Sequence, residues 1–138
     1  MALFIPLLAG MGGNVGTQSS AIAVQGLANN SLNSQHIFRH ILKELVVAIV
    51  NATMLSLMVY MYNFFIYGAF DIVTLAVPIR LFIVVLFASS FGTMIPMVLE
   101  RMDINPAVAT GPFIQIINDL SGMTFYMIIS MILSKIII

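Results

Sequence analysis

The ten charged residues of this 138-residue chain are bunched, and the runs between them are long. Residues 1–38 carry no charge, and Arg39, Lys43 and Glu44 then cluster. An uncharged run of 26 follows at 45–70, and Asp71 and Arg80 flank a short connector containing Pro78. The next uncharged run covers the 19 residues 81–99, before a second cluster of Glu100, Arg101 and Asp103. The last run, 104–134, is interrupted by Asp119 alone. A membrane-spanning helix needs about 20 mostly apolar residues, so this pattern reads as helices that cross a bilayer. Composition agrees: 61% of residues are hydrophobic and 7% charged, against roughly 25% charged in a soluble domain. Ten charges cannot solvate a soluble surface of this size, and disorder is excluded by the same figures. Zero net charge leaves no electrostatic footprint for a nucleic-acid partner. The absence of cysteine removes disulfides, thiol catalysis and thiolate metal sites.

The reading is an all-α, polytopic membrane helix bundle: one domain over 1–138 with four transmembrane helices, at about 3–28, 45–68, 79–100 and 106–135. A short amphipathic helix precedes the second span, with Asn33 or Ser34 as its cap and Ile37, Phe38, Ile41 and Leu42 as its apolar face. The first span is the most polar, because Gly10, Gly12, Gly13, Asn14, Gly16, Thr17 and Gln18 fill its middle. Backbone at membrane depth must be satisfied internally or line a protein-enclosed cavity, so this segment is expected to face protein. Asn105-Pro106 is expected to open the last helix. Three basic residues (Arg39, Lys43, Arg101) against two (Arg80, Lys135) place the larger clusters in the cytoplasm and both termini outside. An outside N-terminus without a signal sequence reads as a fragment that lacks an upstream helix.

Asp119 is the most informative residue. It sits at the centre of the last run, so it is expected near the bilayer midplane, where a carboxylate costs about 2.5–3.5 kcal/mol on insertion scales. Such a residue is a functional-site candidate; the alternative is a protonated Asp hydrogen-bonded to a neighbouring helix. Gly111, Gln115, Asp119, Gly122 and Tyr126 fall on one helical stripe, with Asn118 beside it. The stripe reads either as a packing seam of small residues or as a pore wall, and Gln115 with Asp119 favours the pore. Gly111-Pro112 interrupts this helix early and frees backbone carbonyls for a cation. On the first span Asn14 and Gln18, four apart, offer amide oxygens to a hydrated ion, while its glycines allow close packing. Asn51, Ser56, Tyr60 and Asn63 read as interhelical hydrogen-bonding positions, and Ala88, Ser89, Gly92, Thr93 and Pro96 as a packing and kink face. His36 and His40 are spaced for a metal pair but have no third ligand. Carboxylate, amide and carbonyl oxygens are hard ligands that favour Mg²⁺, Ca²⁺ or an alkali cation, and a homodimer would set two Asp119 face to face.

Two motifs carry a family resemblance. The stretch Pro6-Leu-Leu-Ala-Gly10-Met-Gly-Gly-Asn14-Val-Gly16-Thr-Gln18 resembles the signature of the MgtE magnesium channel/transporter family. Asn105-Pro-Ala-Val-Ala-Thr-Gly111-Pro112, followed by Asn118-Asp119-Leu-Ser-Gly122 and Tyr126, resembles that family's final pore helix. The resemblance covers essentially the whole chain and matches the last four of the family's five helices. It implies a multi-pass cell-membrane protein, not an enzyme, forming a homodimeric Mg²⁺ pathway with Asp119 as the central carboxylate and backbone near Gln115 helping to hold the hydrated ion. Members commonly carry an acidic residue where Asn105 stands, which shifts ion attraction at the cytoplasmic mouth to Asp103. Gly111 replaces an Asn of some relatives, and the family's cytosolic Mg-sensing domains have no counterpart in these residues. The rival reading is a secondary transporter coupling a divalent cation to another ion. An intramembrane aspartyl protease would need a second deep carboxylate.

Overall fold

The computed structural model describes residues 4–29 and 37–137. Four helices fill them: α1 (Ile5–Ala28), α2 (Ile37–Tyr67), α3 (Ile72–Arg101) and α4 (Pro112–Ile137), with a 3₁₀ turn, Pro106–Ala109, before α4. The middle helix α3 is the hub, packed on by α1, α2, α4 and the 3₁₀ turn, while α1 also lies along α4. Two segments, Phe38–Tyr67 and Ile72–Arg101, are long and apolar enough to cross a membrane.

Each boundary has a local cause. Pro6 stands in the first turn of α1, where its missing N–H is harmless. At the end of α2, Gly68 takes the left-handed conformation (φ +87°) and its N–H bonds to Phe64 O at 3.0 Å, a glycine stop of the usual kind. Asp71 caps α3, its Oδ1 accepting from Val73 N at 2.7 Å. That cap starts α3 earlier than the expected 79. The connector expected at 71–80 is only 68–71, and Pro78 and Arg80 lie inside the helix. Proline within a membrane helix is tolerated where neighbouring helices re-satisfy the freed backbone. At the other end of α3, Asp103 adopts φ 58° while its N–H bonds to Glu100 O and the Ile104 N–H to Leu99 O at 2.9 Å. This is a Schellman stop with Asp in the place glycine usually takes.

Two further expectations change. The separate amphipathic helix is absent among the described residues: Phe38, Ile41 and Leu42 form the first turns of α2, which runs unbroken for 31 residues. Nothing between them and the span breaks a helix, since 37–67 contains neither glycine nor proline. Asn33, Ser34 and His36 lie outside the described residues. Asn105-Pro106 opens the 3₁₀ turn and not α4, because Gly111 at φ +61° separates the two. Consequently Asp119 is the eighth residue of α4, about 10 Å from its start, in the helix's first third and not its middle.

The core lies where α1, α3 and α4 meet, with Phe4, Leu8, Val15, Val77, Leu81, Val85 and Tyr126 buried together. By contrast, α2 buries only a narrow stripe against α3, led by Ala48, Ala52 and Asn63. Asn63 makes the interhelical contact expected of it, its Nδ2 donating to Val73 O at 3.4 Å.

Candidate cation site

The site is built where α1 and α4 pack together, and glycine makes that approach possible. A Cβ placed on Gly13 would stand 2.6 Å from Asp119 Oδ1 and 3.5 Å from Gln115 Cγ. A Cβ on Gly16 would collide with the Asn118 amide, and one on Gly92 of α3 with the carbonyl oxygen of Gly16. Thus Gly13 and Gly16 let α4 press Asp119 and Asn118 onto the backbone of α1, while Gly92 brings α3 in behind. Hydroxyls fasten the same junction. Ser19 Oγ and Ser89 Oγ are hydrogen-bonded at 2.8 Å, and Ser20 Oγ donates to Ala109 O, pinning the 3₁₀ turn to α1. Thr17 Oγ1 donates to Gly13 O at 2.8 Å, keeping that hydroxyl inside its own helix.

The polar side chains within this frame differ in exposure. Asn118 is 1% exposed, and neither its Oδ1 nor its Nδ2 has a hydrogen-bond partner. Asp119 is half-buried, with Oδ1 buried and unpartnered. Buried polar atoms are nearly always paired, so three orphan atoms on adjacent residues make this the candidate place for a polar guest. Gln115, one turn earlier on α4, is exposed, as are Asn14 and Gln18 on α1. Together these give an exposed polar edge, Asn14, Gln18 and Gln115, bordering a recessed carboxylate and amide. Every donor atom of this group toward a cation is a hard oxygen.

The other expected site residues separate from this group. Gly122 and Tyr126 are buried. The stripe expected from Gly111 to Tyr126 is therefore open at Gln115 and Asp119 and closed by packing below them. Gly111 is half-buried at the hinge before α4, and its carbonyl accepts from Gln115 N at 3.1 Å, which starts the helix. Asn105 Oδ1 accepts from Ala107 N at 3.0 Å and caps the 3₁₀ turn. Asp103, exposed, terminates α3. Among the described residues no group of three or more His, Asp or Glu gathers as a metal cage.

Arg80 is the residue that sequence reasoning placed wrongly. It is 2% exposed inside α3, with its guanidinium carbon 5.2 Å from the centre of the Tyr126 ring. The available signal was Asp71, a stronger helix start than anything near residue 79.

The sequence profile of the family MgtE, described as a divalent cation transporter, matches residues 5–129. The magnesium transporter MgtE of Bacillus subtilis is 31% identical over 126 residues, which cover 91% of this chain and 28% of that protein. Its namesake in Thermus thermophilus is 28% identical over 133 residues, covering 96% of this chain and 29% of that protein. A third, from Enterococcus faecalis, is 30% identical over 129 residues, covering 28% of its own length. The chain thus spans under a third of the length of the curated relatives it matches. The profile match runs through both glycine-rich α1 and the Asn118–Asp119 segment of α4, the two elements that make the site. This chain belongs to the MgtE family of divalent cation transporters.

Proposed function

We propose that this chain conducts Mg²⁺ across a cell membrane as one half of a homodimeric, channel-like pore, in which Asp119 recognises the ion through its water shell. All four helices span the membrane in this reading. The observation that carries it is the orphaned, buried Oδ1 of Asp119 beside the orphaned amide of Asn118, at the edge of an exposed polar strip. The three named relatives are magnesium transporters, which favours Mg²⁺ among the hard cations. One recessed carboxylate per chain is too few ligands for a dehydrated ion, because Mg²⁺ wants six oxygens at about 2.0–2.1 Å and ordinarily keeps several waters. Two such carboxylates facing each other across a two-fold axis, with Gln115, Asn14 and Gln18 around them, would instead accept hydrogen bonds from bound water. These charge-assisted contacts are short and directional.

The test is Mg²⁺ uptake in cells lacking other Mg²⁺ transport. Asp119→Ala is expected to abolish uptake while the protein still inserts and dimerises, and Asp119→Asn to weaken divalent selectivity. Cobalt hexammine, a stable mimic of hydrated Mg²⁺, is expected to compete. Wild-type uptake by Asp119→Ala sinks the assignment; carboxylate oxygens bonded to the metal at about 2.1 Å, with no hexammine competition, sink the water-shell reading.

A further inference from the structure

We infer that Arg80 supplies a fixed positive charge that keeps the Asp119 site weak enough to release its cation. Arginine stays protonated under all ordinary conditions, and an ionised group within a membrane helix bundle is expensive and marks function. Arg80 is 2% exposed, and its guanidinium lies over the Tyr126 ring at 5.2 Å, an attraction that holds the charge in place. Tyr126 stands seven residues after Asp119 on α4, two turns along the same face and about 10 Å down the axis.

Val84, one turn after Arg80 on α3, has a methyl carbon 3.0 Å from where a Cβ of Gly12 would stand and 3.3 Å from that of Gly122, so it packs against α1 and α4 one turn from Tyr126 toward Asp119. A buried charge is screened less than one at the surface, so the charge at Arg80 acts on Asp119 more strongly than it would across solvent. Toward a bound cation that charge is repulsive, and the repulsion grows with the ion's charge. Conduction requires binding strong enough to admit an ion and weak enough to let it leave, and a buried cation beside the carboxylate adjusts that balance.

This inference rests on the reading of Asp119 as the ion site, and the experiment separates the two. Thermal stability of the purified protein is titrated with Mg²⁺ and, separately, with cobalt hexammine, for wild type, Arg80→Met, Arg80→Gln, Arg80→Lys and Asp119→Asn. The uncharged Arg80 variants are expected to need about tenfold less Mg²⁺ for half-maximal protection, and to shift further for the trivalent hexammine. Arg80→Lys, which keeps the charge, should hold the wild-type midpoints even if it melts earlier. In uptake assays the uncharged variants should saturate at lower Mg²⁺ and at a lower maximal rate. A purely structural Arg80 predicts the opposite sign: removing it would loosen the site and raise the midpoint. Raised or unchanged midpoints in Arg80→Met and Arg80→Gln, an equal shift in Arg80→Lys, or failure of both uncharged variants to fold overturns the inference. If Asp119→Asn retains wild-type Mg²⁺ protection, the reading of the site itself fails and takes this one with it.

Discussion

Helices α1 and α2 invert the rule that governs soluble proteins. The first is the more polar, filled with Gly, Ser, Thr, Asn and Gln, yet it buries Leu8, Gly12, Gly13, Val15, Gly16, Ser19, Ser20, Ala23 and Leu27 against α3 and α4. The second is almost wholly apolar in its span, yet only 11% of its most hydrophobic 18-residue window is buried, against 56% for the corresponding window of α3. In water this would be a misfolded arrangement. In lipid it is the expected one, because hydrocarbon tails solvate Leu, Val and Phe as well as a protein core does. Helix association then depends on close backbone approach and on interhelical hydrogen bonds. Outside the exposed edge of Asn14, Gln18 and Gln115, the small and polar residues of α1 therefore mark protein contact, and the apolar face of α2 marks the surface.

The largest effect expected from breaking that contrast is at the glycines. Gly16→Leu forces the Asn118 amide aside, and Gly92→Leu drives a side chain into the α1 backbone at Gly16. Overpacking costs about 1–3 kcal/mol where neighbours are flexible side chains, and Gly92 faces backbone, which yields least. Both variants should lose most folded protein and all uptake, measured by detergent melting and Mg²⁺ flux. Gly10→Leu, on the same helix with open space around it, should melt like wild type. Equal melting of all three would mean that the α1 glycines serve something other than contact.

The exposed side of α2 gives the next effect. Leu57 lies at the middle of the uncharged run 45–70 and is 59% exposed. A lysine there meets hydrocarbon if α2 faces lipid, at about 2.5–3.5 kcal/mol on insertion scales, whereas Leu57→Val should change stability by less than about 0.5 kcal/mol. Normal insertion and stability of Leu57→Lys would mean that this face meets water or another polar surface, and the comparison with α1 would collapse.

Much of this was legible in the chain and some was not, for identifiable reasons. The uncharged runs around α2 and α3 reveal helices apolar enough to cross a membrane because hydrocarbon excludes charge, and the glycine motif of α1 reveals contact because glycine weakens a helix unless close packing needs it. The polarity of Asp119 and Gln115 pointed to one site, and the fold brings both to Gly13. Helix ends were less legible. The start of α3 depends on the Asp71 cap overriding Pro78 and Arg80, and the start of α4 on Gly111 at positive φ, local choices between competing signals. The sequence left Gly122 and Tyr126 open between packing seam and pore wall, because a stripe of spacing 3 and 4 states which residues share a face and not which neighbour covers it. Here Val84 covers Gly122, and Arg80 covers Tyr126.

The smallest effect sharpens the comparison most. If polarity in α1 serves contact, the Ser19–Ser89 hydrogen bond at 2.8 Å is part of what holds α1 to α3. Interhelical hydrogen bonds in membrane proteins average about 0.6 kcal/mol, because the separated helices also find partners; a serine hydroxyl can turn back to its own helix carbonyl four residues earlier. The pair is buried, so replacing one serine leaves the other hydroxyl without its partner, while replacing both removes two polar groups at once and can be nearly neutral. Ser19→Ala and Ser89→Ala should therefore each lower stability by roughly 0.5–1 kcal/mol, and the double variant by less than their sum, with a coupling of about 0.6 kcal/mol. Melting of the four proteins in one detergent measures it. Strict additivity would show that each hydroxyl is already satisfied within its own helix, and that small size alone, not hydrogen bonding, brings α1 and α3 together.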